Sequence, residues 1–297
     1  MLEPAESISA TARSRAGTTP ADEIVPGRIY RLGGFIELDG RISWAPPIPG
    51  RFTPNNCYAV AEADRVYLID TGVAAHREIV IDQLKGLLPP DRPVTAFLTR
   101  SEYMCSGNLA AICNTGSIEE LVTTSRNPFA GSTEIVRGLT DNVRRTEPDR
   151  GSIVPLGSSE NLLIIPPLLR LLGMFWVYDK QSKTMFTSDL FGHVSVASPS
   201  LQPIVDDLAD DDTTYDTVRN HTLMRYHWLP MATTEPLIAW MEHVFDTYEV
   251  EVIAPTSGAV LVGAPVVGKH YDLMIELLRR VPEEFGKNKA KATGDAR

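Results

Sequence analysis

The residues best suited to chemistry form two short groups in the sequence. Arg100, Glu102 and Cys105 follow an apolar run that begins at position 94, and Asp189 precedes His193 by four positions. Glu102 or Asp189 can act as a general acid or base, and Arg100 can hold an anionic substrate or intermediate by its charge. Glu102, Asp189, Arg100 and Cys105 are therefore the candidate catalytic residues.

Each candidate also has a structural interpretation. Glu102 and Asp189 are equally well explained as carboxylates that a neighbouring arginine neutralises. Cys105 is a candidate nucleophile or metal ligand, or a small buried thiol without reactivity. His193 is a candidate fourth ligand, with Glu102, Cys105 and Asp189, of a single metal ion. It can also be a plain loop histidine, because spacing alone sets no geometry.

Alternating strand and helix patterns position these groups. A hairpin is predicted over 57–61 and 65–69, a helix over 76–88, a strand over 94–99 and a helix from about Gly107. A second series follows, with a hairpin over 174–178 and 184–188, a helix over 235–248, a strand over 251–254 and a helix over 269–281. This order predicts an α+β protein with two mixed sheets and helices outside them.

Four segments place loop residues at the carboxyl ends of strands, where ligands gather in open α/β sheets. They are 68–72 (LIDTG), 98–109 (LTRSEYMCSGNL), 185–192 (MFTSDLFG) and 252–258 (VIAPTSG). In this order, over about 29–280, they resemble the metallo-β-lactamase superfamily, and within it the flavodiiron and oxygen-binding di-iron protein (ODP) branch. The resemblance implies an αββα sandwich, in which two mixed sheets pack face to face with helices on the outer faces.

The resemblance also shows where the sequence departs from the family. In the motif Thr-His-x-Glu-x-Asp-His-Ser-Gly, the matching residues are Thr99, Glu102, Ser106 and Gly107, and the replaced ones are Arg100, Met104 and Cys105. The third family histidine falls at Leu169, within 166–174, and the last one falls at Ser257. The bridging aspartate matches Asp189, so Glu102 and Asp189 are the ligands that remain.

Two carboxylates cannot hold a pair of iron or zinc ions, which need several imidazole and carboxylate ligands. The Arg100 guanidinium has no lone pair to offer. The sequence therefore predicts a cluster of Arg100 with Glu102 and Asp189 where the family keeps iron, and no metal cofactor. The open alternative is a single iron or zinc ion held by Glu102, Cys105, Asp189 and His193. No FMN-binding flavodoxin domain is expected, which argues against the family's reduction of oxygen or nitric oxide.

Two functions remain open. In the first, the chain is a metal-free protein that binds a small molecule or a partner, such as a metal-competent paralogue. In the second, it is an enzyme with a remodelled pocket, an oxidoreductase or a lyase or hydrolase acting on a small anionic substrate. Glu102 or Asp189 would then supply acid–base catalysis and Arg100 the charge clamp. The resemblance to flavodiiron proteins further implies a homodimer.

Composition restricts the class of partner and the cellular compartment of the protein. A net charge of −10 and a pI of about 5.1 argue against nucleic-acid or anionic-membrane partners. No apolar run approaches the roughly 20 residues of a membrane-spanning helix. Three cysteines without paired spacing favour reduced thiols and a cytoplasmic location. The predicted organisation is a flexible arm over 1–24, a metallo-β-lactamase-like domain over 25–284 and a flexible tail over 285–297.

Some conspicuous residues are expected to serve the fold. Asp70, in IDTG, is expected to fix a loop near the site. The acidic run 206–212 is expected to be a solvated loop, because its spacing does not match a calcium-binding loop. His76, His243 and His270 are expected at the surface or at helix ends. The apolar loop 166–172 is expected to line a pocket or a dimer contact.

Overall fold

The structure is a computed structural model, and it describes residues 20–88, 92–115, 118–124, 128, 143–149, 151–170, 173–200 and 202–294. The chain forms two compact units. The first comprises Met1–Ile36, Pro54–Pro167 and Leu172–Ser182, and the second comprises Glu37–Thr53, Leu168–Leu171 and Lys183–Arg297.

The first unit is built on a seven-stranded sheet whose strands neighbour one another in chain order. The strands are β1 (Asp22–Val25), β2 (Ile29–Glu37), β3 (Phe52–Ala61), β4 (Val66–Ile69), β5 (Val94–Phe97), β6 (Ile118–Val122) and β7 (Arg144–Thr146). The sheet is mixed, since β3 and β4 are antiparallel while β4 to β7 run parallel. Its helices are α1 (Arg77–Leu87), α2 (Tyr103–Ser106) and α3 (Leu109–Cys113).

The first unit also contains three antiparallel strands, β8 (Val154–Pro155), β9 (Leu162–Ile165) and β10 (Trp176–Asp179). The second unit contributes β11 (Thr184–Ser188), β12 (Ile204–Val205), β13 (Val252–Pro255) and β14 (Val260–Val262). In that unit β13 is parallel to β11 and antiparallel to β14. The chain therefore has two mixed seven-stranded sheets with helices, which confirms the predicted α+β class.

The second unit has three further helices, α4 (Tyr215–Arg225), α5 (Glu235–Thr247) and α6 (Ala264–Gly294). Helix α6 packs on both α4 and α5. Its apolar face is buried, and Met274, Leu277 and Leu278 are fully enclosed. Burial of large aliphatic side chains on this scale is the main favourable term in folding. Among the described residues, no helix has both the length and the hydropathy needed to cross a membrane.

Most predicted elements are confirmed, with two corrections. The hairpin 57–61/65–69 pairs as β3 and β4, and the helix 76–88 is α1. The helix predicted from about Gly107 is α3, which begins at Leu109, and the first correction is the short helix α2, which was not predicted. A Cβ at Gly107 would come within 2.8 Å of the Gly72 carbonyl oxygen, so this position requires glycine.

The second correction concerns the chain ends. The last helix, predicted over 269–281, extends over Ala264–Gly294 and thus through most of the predicted tail. Strand β1 begins at Asp22, inside the predicted arm, while residues 1–19 lie outside the described part. The proposed bounds 1–24, 25–284 and 285–297 stay a prediction.

Candidate functional site

In the first unit, Asp70 organises the loop that carries the candidate residues. It follows β4 with a left-handed backbone (φ 60°), a conformation that few side chains other than Asn and Asp adopt readily. Its carboxylate accepts hydrogen bonds from the Thr99 backbone N–H and from the Thr99 hydroxyl, both at 2.8 Å. Asp70 therefore fixes the loop after β5, which is the role predicted for it.

Arg100 lies in that loop and is only 4% exposed. Its Nη1 is 3.0 Å from Oε2 of Glu102, whose side chain is 38% exposed. Its Nη2 lies 3.8 Å from the sulfur of Met104. The resemblance aligns Arg100 and Met104 with family ligands, but the Arg100 guanidinium has no lone pair to offer and the Met104 thioether is a soft ligand that does not neutralise a cation's charge. The structure confirms the predicted pairing of Arg100 with Glu102.

Cys105 is fully buried at the start of the same segment. Its sulfur lies 3.7 Å from the Thr99 hydroxyl oxygen. Its backbone carbonyl accepts hydrogen bonds from the N–H and the hydroxyl of Thr71, at 2.6 and 2.9 Å. These contacts favour the packed, structural thiol over the nucleophile, because a reactive thiolate is usually partly exposed beside a positive charge.

In the second unit, the loop after β11 carries Asp189, which is 2% exposed. Ser188 and Phe191 flank it, and both have positive φ angles, 52° and 63°. The Thr187 hydroxyl donates to the Leu190 carbonyl at 2.8 Å and closes the turn. Two left-handed residues other than glycine within four positions indicate stored backbone strain, which clusters at functional loops.

Arg225, the last residue of α4, reaches this loop. Its Nη1 donates a very short hydrogen bond to Oδ1 of Asp189, and its Nη2 donates to the hydroxyl of Ser257 at 2.7 Å. The guanidinium carbon lies 4.6 Å from the centre of the Trp44 ring, a cation–π distance. Asp189 and Ser257 both match ligand positions of the family motif, and a guanidinium joins them.

The loops of Asp189 and Ser257 are held together by a close glycine contact. Gly258 has a φ of +88°, and a Cβ there would lie 2.6 Å from the Gly192 carbonyl oxygen. The Thr256 N–H donates to the Ser188 carbonyl at 2.8 Å. Only glycine permits this approach. The contact therefore fixes the separation of the two loops, and Arg225 bridges them through Asp189 and Ser257.

The sequence predicts only part of this charge arrangement. It predicts the pair Arg100–Glu102, but the guanidinium that contacts Asp189 in the second unit belongs to Arg225 and was not predicted. The available signal was the sequence Arg225-Tyr226-His227-Trp228, where an arginine at a helix end is followed by aromatic residues.

Among the described residues, no group of three or more His, Cys, Asp and Glu side chains could hold a metal ion. No such group includes His193, the histidine of the alternative single-metal set, whose Nε2 lies 2.8 Å from Nδ1 of His270. Leu169, which the resemblance aligns with a family histidine, is fully buried, while Leu168 beside it is 44% exposed. Residues 171–172 of that loop lie outside the described part.

Two buried polar residues differ from the sequence expectations. His76 is buried at 8% exposure but is the N-cap residue of α1, as the helix-end expectation allowed, whereas His270 is fully buried inside α6. Asp211, in the acidic run 206–212, is also buried, with Nζ of Lys269 at 2.8 Å and Nε2 of His270 at 3.1 Å. The other six residues of the run are exposed, as predicted for a solvated loop. Asp211 differs because its partners come from α6, about 60 residues later in the chain. Cys57 and Cys113 are also buried.

One protein family matches most of the chain. Residues 53–258 match the family described as "ODP family beta lactamase". Comparison with curated proteins finds none that matches.

Several solved structures share the fold at low sequence identity. Rubredoxin oxygen:oxidoreductase (ROO) from the anaerobe Desulfovibrio gigas is 16% identical with a TM-score of 0.63, over 88% of this chain and 62% of that one. The flavodiiron protein from Giardia intestinalis is 16% identical with a TM-score of 0.62, over 91% and 61%. The apo chemotaxis sensor ODP from T. denticola is 18% identical with a TM-score of 0.52, over 75% and 87%. The chain spans about three fifths of the length of the first two.

Proposed function

Because the chain belongs to the ODP β-lactamase family, we propose that it is a metal-free member of that family that binds a small molecule or a protein partner. In this proposal, arginine guanidinium groups take over the electrostatic role that metal ions have in the family motif. The chain would therefore not reduce oxygen or nitric oxide at iron, and would not hydrolyse a substrate with a metal-bound hydroxide.

The observation that carries the proposal is the position of Arg225. Its guanidinium contacts Asp189, the retained bridging carboxylate, and Ser257, the replacement for the last histidine. An arginine stays protonated in proteins and presents a planar fork of donors. A divalent cation at Asp189 would have to displace this guanidinium or lie beside its positive charge. Either step opposes metal binding.

The first unit supports the same conclusion independently. There the other retained carboxylate, Glu102, pairs with Arg100, which stands where the motif has its first histidine. Each retained ligand thus has an arginine partner within its own unit. Charge-assisted pairs of this kind hold both groups in fixed geometry, which suits a binding site or a structural centre.

Elemental analysis tests the proposal. The full chain would be produced with iron and zinc in the medium, beside a metal-competent ODP protein that reports whether metal was available. We expect far less than one metal ion per chain for this protein, before and after incubation with ferrous iron and zinc, and a loaded control. Tightly held, near-stoichiometric metal would overturn the proposal.

A second candidate function is acid–base catalysis at Glu102. The Glu102 side chain is 38% exposed and lies 3.0 Å from the buried Arg100 guanidinium, so an anionic substrate could reach both groups. An oxidoreductase, lyase or hydrolase on a small anionic substrate is the corresponding activity. In a turnover assay Glu102→Gln and Asp189→Asn should lose activity, and Glu119→Gln, an exposed carboxylate in the same unit, should keep it. Equal activity in all variants would remove this candidate.

The resemblance to flavodiiron proteins motivates the proposed assembly, a homodimer that works in the cytoplasm. Cys57, Cys105 and Cys113 are buried and form no disulfide among the described residues, which suits a reducing compartment. A metal-competent paralogue is the proposed protein partner. Light scattering of the full chain, alone and mixed with such a paralogue, tests both points. A monomer at micromolar concentration would refute the homodimer.

A further inference from the structure

The second unit contains a cavity whose lining residues include neither Arg225 nor Asp189. Its volume is about 280 Å³. The apolar part of its wall includes Leu38, Ala45, Pro46, Ile48 and Val194, and the polar part includes His193 and His221. A cavity of about 150 Å³ is enough for benzene, so this one accommodates a small aromatic or aliphatic molecule with one substituent.

A chain of contacts determines which nitrogen of His193 carries its proton. Although burial alone would raise the pKa of Asp211, hydrogen bonds from Lys269 and Thr213 lower it, so Asp211 is an anion. Nε2 of His270 lies 3.1 Å from Oδ2 of Asp211, and a lone pair there would be repelled. Nε2 of His270 therefore carries the hydrogen, and its Nδ1 has the lone pair.

The protonation of His270 in turn determines which nitrogen of His193 carries its hydrogen. His193 Nε2 lies 2.8 Å from Nδ1 of His270. Because His270 Nδ1 has the lone pair, His193 must donate from Nε2 and keep its own lone pair on Nδ1. Nδ1 of His193 is buried and has no hydrogen-bond partner among the described residues. The contacts with His270 and Asp211 thus prepare an acceptor at a residue of the cavity wall.

His221 adds a second polar atom. Its ring centre is 6.3 Å from that of His193, and its buried Nε2 also has no hydrogen-bond partner in the described part of the chain. Burial lowers the pKa of His193 and of His221 well below the ordinary value, so both rings are neutral near pH 7. A buried acceptor without a donor destabilises the protein, and a ligand that supplies the donor recovers this energy.

We infer that this cavity binds a small, mostly apolar molecule that carries one hydroxyl group, of the size of phenol. The hydroxyl donates its hydrogen to Nδ1 of His193, and the apolar body packs against Leu38, Ala45 and Ile48. A carboxylate or phosphate is disfavoured, because the lining residues include the acidic Asp216 and two neutral imidazoles but no lysine or arginine. The inference does not depend on whether metal binds elsewhere in the protein.

Paired ligands isolate the hydrogen bond. Isothermal titration of the full chain at pH 7.5 would compare phenol with toluene, which has similar size and no donor. We expect phenol to bind about tenfold more tightly, since one net hydrogen bond is worth about 1.4 kcal/mol. Equal affinity for the two would refute the hydroxyl contact. Binding of neither ligand at millimolar concentration would show that the cavity holds only water and would overturn the inference.

Variants locate the contact. His193→Phe keeps a ring but removes the acceptor, and it should bring phenol and toluene to within about threefold of each other, as expected when one hydrogen bond is lost. His243→Phe, an exposed histidine of α5, should leave the tenfold preference unchanged. If His193→Phe does not fold, imidazole ¹⁵N spectra of the unsubstituted protein decide. Phenol should shift the Nδ1 resonance of His193, and an unchanged resonance at saturation would refute the inference.

Discussion

The buried pair of Arg225 and Asp189 allows a quantitative test of the charge arrangement. Their side chains are 3% and 0% exposed, so neither charge is substantially solvated. Replacement of Arg225 by methionine keeps most of the side-chain volume but removes its charge. The variant leaves Asp189 without the guanidinium that Arg225 supplies, and it also leaves the Ser257 hydroxyl without that donor.

The expected magnitude follows from this burial. Removal of one partner of a buried ion pair costs about 3–5 kcal/mol, because a buried charge is left uncompensated. Loss of the cation–π contact with Trp44 adds about 1 kcal/mol. Arg225→Met should therefore destabilise the protein by about 4 kcal/mol or more. In the double variant with Asp189→Asn both charges are gone, so its cost should fall short of the sum of the single costs by about 2 kcal/mol or more.

Urea unfolding, followed by circular dichroism and tryptophan fluorescence, measures these differences. Arg279→Met is the matched control, because Arg279 pairs with Glu242 at 3.1 Å but its side chain is 61% exposed. That control should cost less than about 1 kcal/mol, as exposed ion pairs do. The reasoning fails if Arg225→Met costs no more than the control, or if the single effects at Arg225 and Asp189 simply add.

Three further results are expected from urea unfolding. Asp70→Ala should cost about 3 kcal/mol, through lost hydrogen bonds and the positive φ, while Asp70→Asn should cost about 1 kcal/mol; equal costs would contradict the backbone argument. Burial lowers the pKa of His193 and His221 in the folded state. The free energy of unfolding should therefore be highest above pH 6.5 and should decrease as pH falls, by up to about 1.4 kcal/mol per pH unit for each histidine. His221→Asn should flatten this dependence, and an unchanged slope would contradict it. Gly258→Ala should cost about 3 kcal/mol because its Cβ meets backbone, whereas Gly268→Ala in α6, with nothing within 4 Å, should be neutral or stabilising.

The fold could be predicted from the local pattern of apolar and polar residues. The hairpin of β3 and β4 follows from two β-branched and aromatic runs around the turn 62–64, and α1 follows from apolar residues at helical spacing. The close approach of Gly107 to the backbone at Gly72 could not be predicted, because the two residues are 35 positions apart. Periodicity reports which face of an element is apolar, but it does not report which distant backbone segment lies against it.

The sequence by itself indicated the family and the pairing of Arg100 with Glu102, which are two positions apart. Only the tertiary structure decided that Arg225 neutralises Asp189, 36 residues earlier, and that Asp211 faces His270, 59 residues later. The physical reason is the short range over which neighbouring groups stabilise a charge. A charge is stabilised by whatever lies within a few ångströms of it, and for groups on separate elements that neighbour is set by how helices pack on the sheet, which residue spacing does not encode.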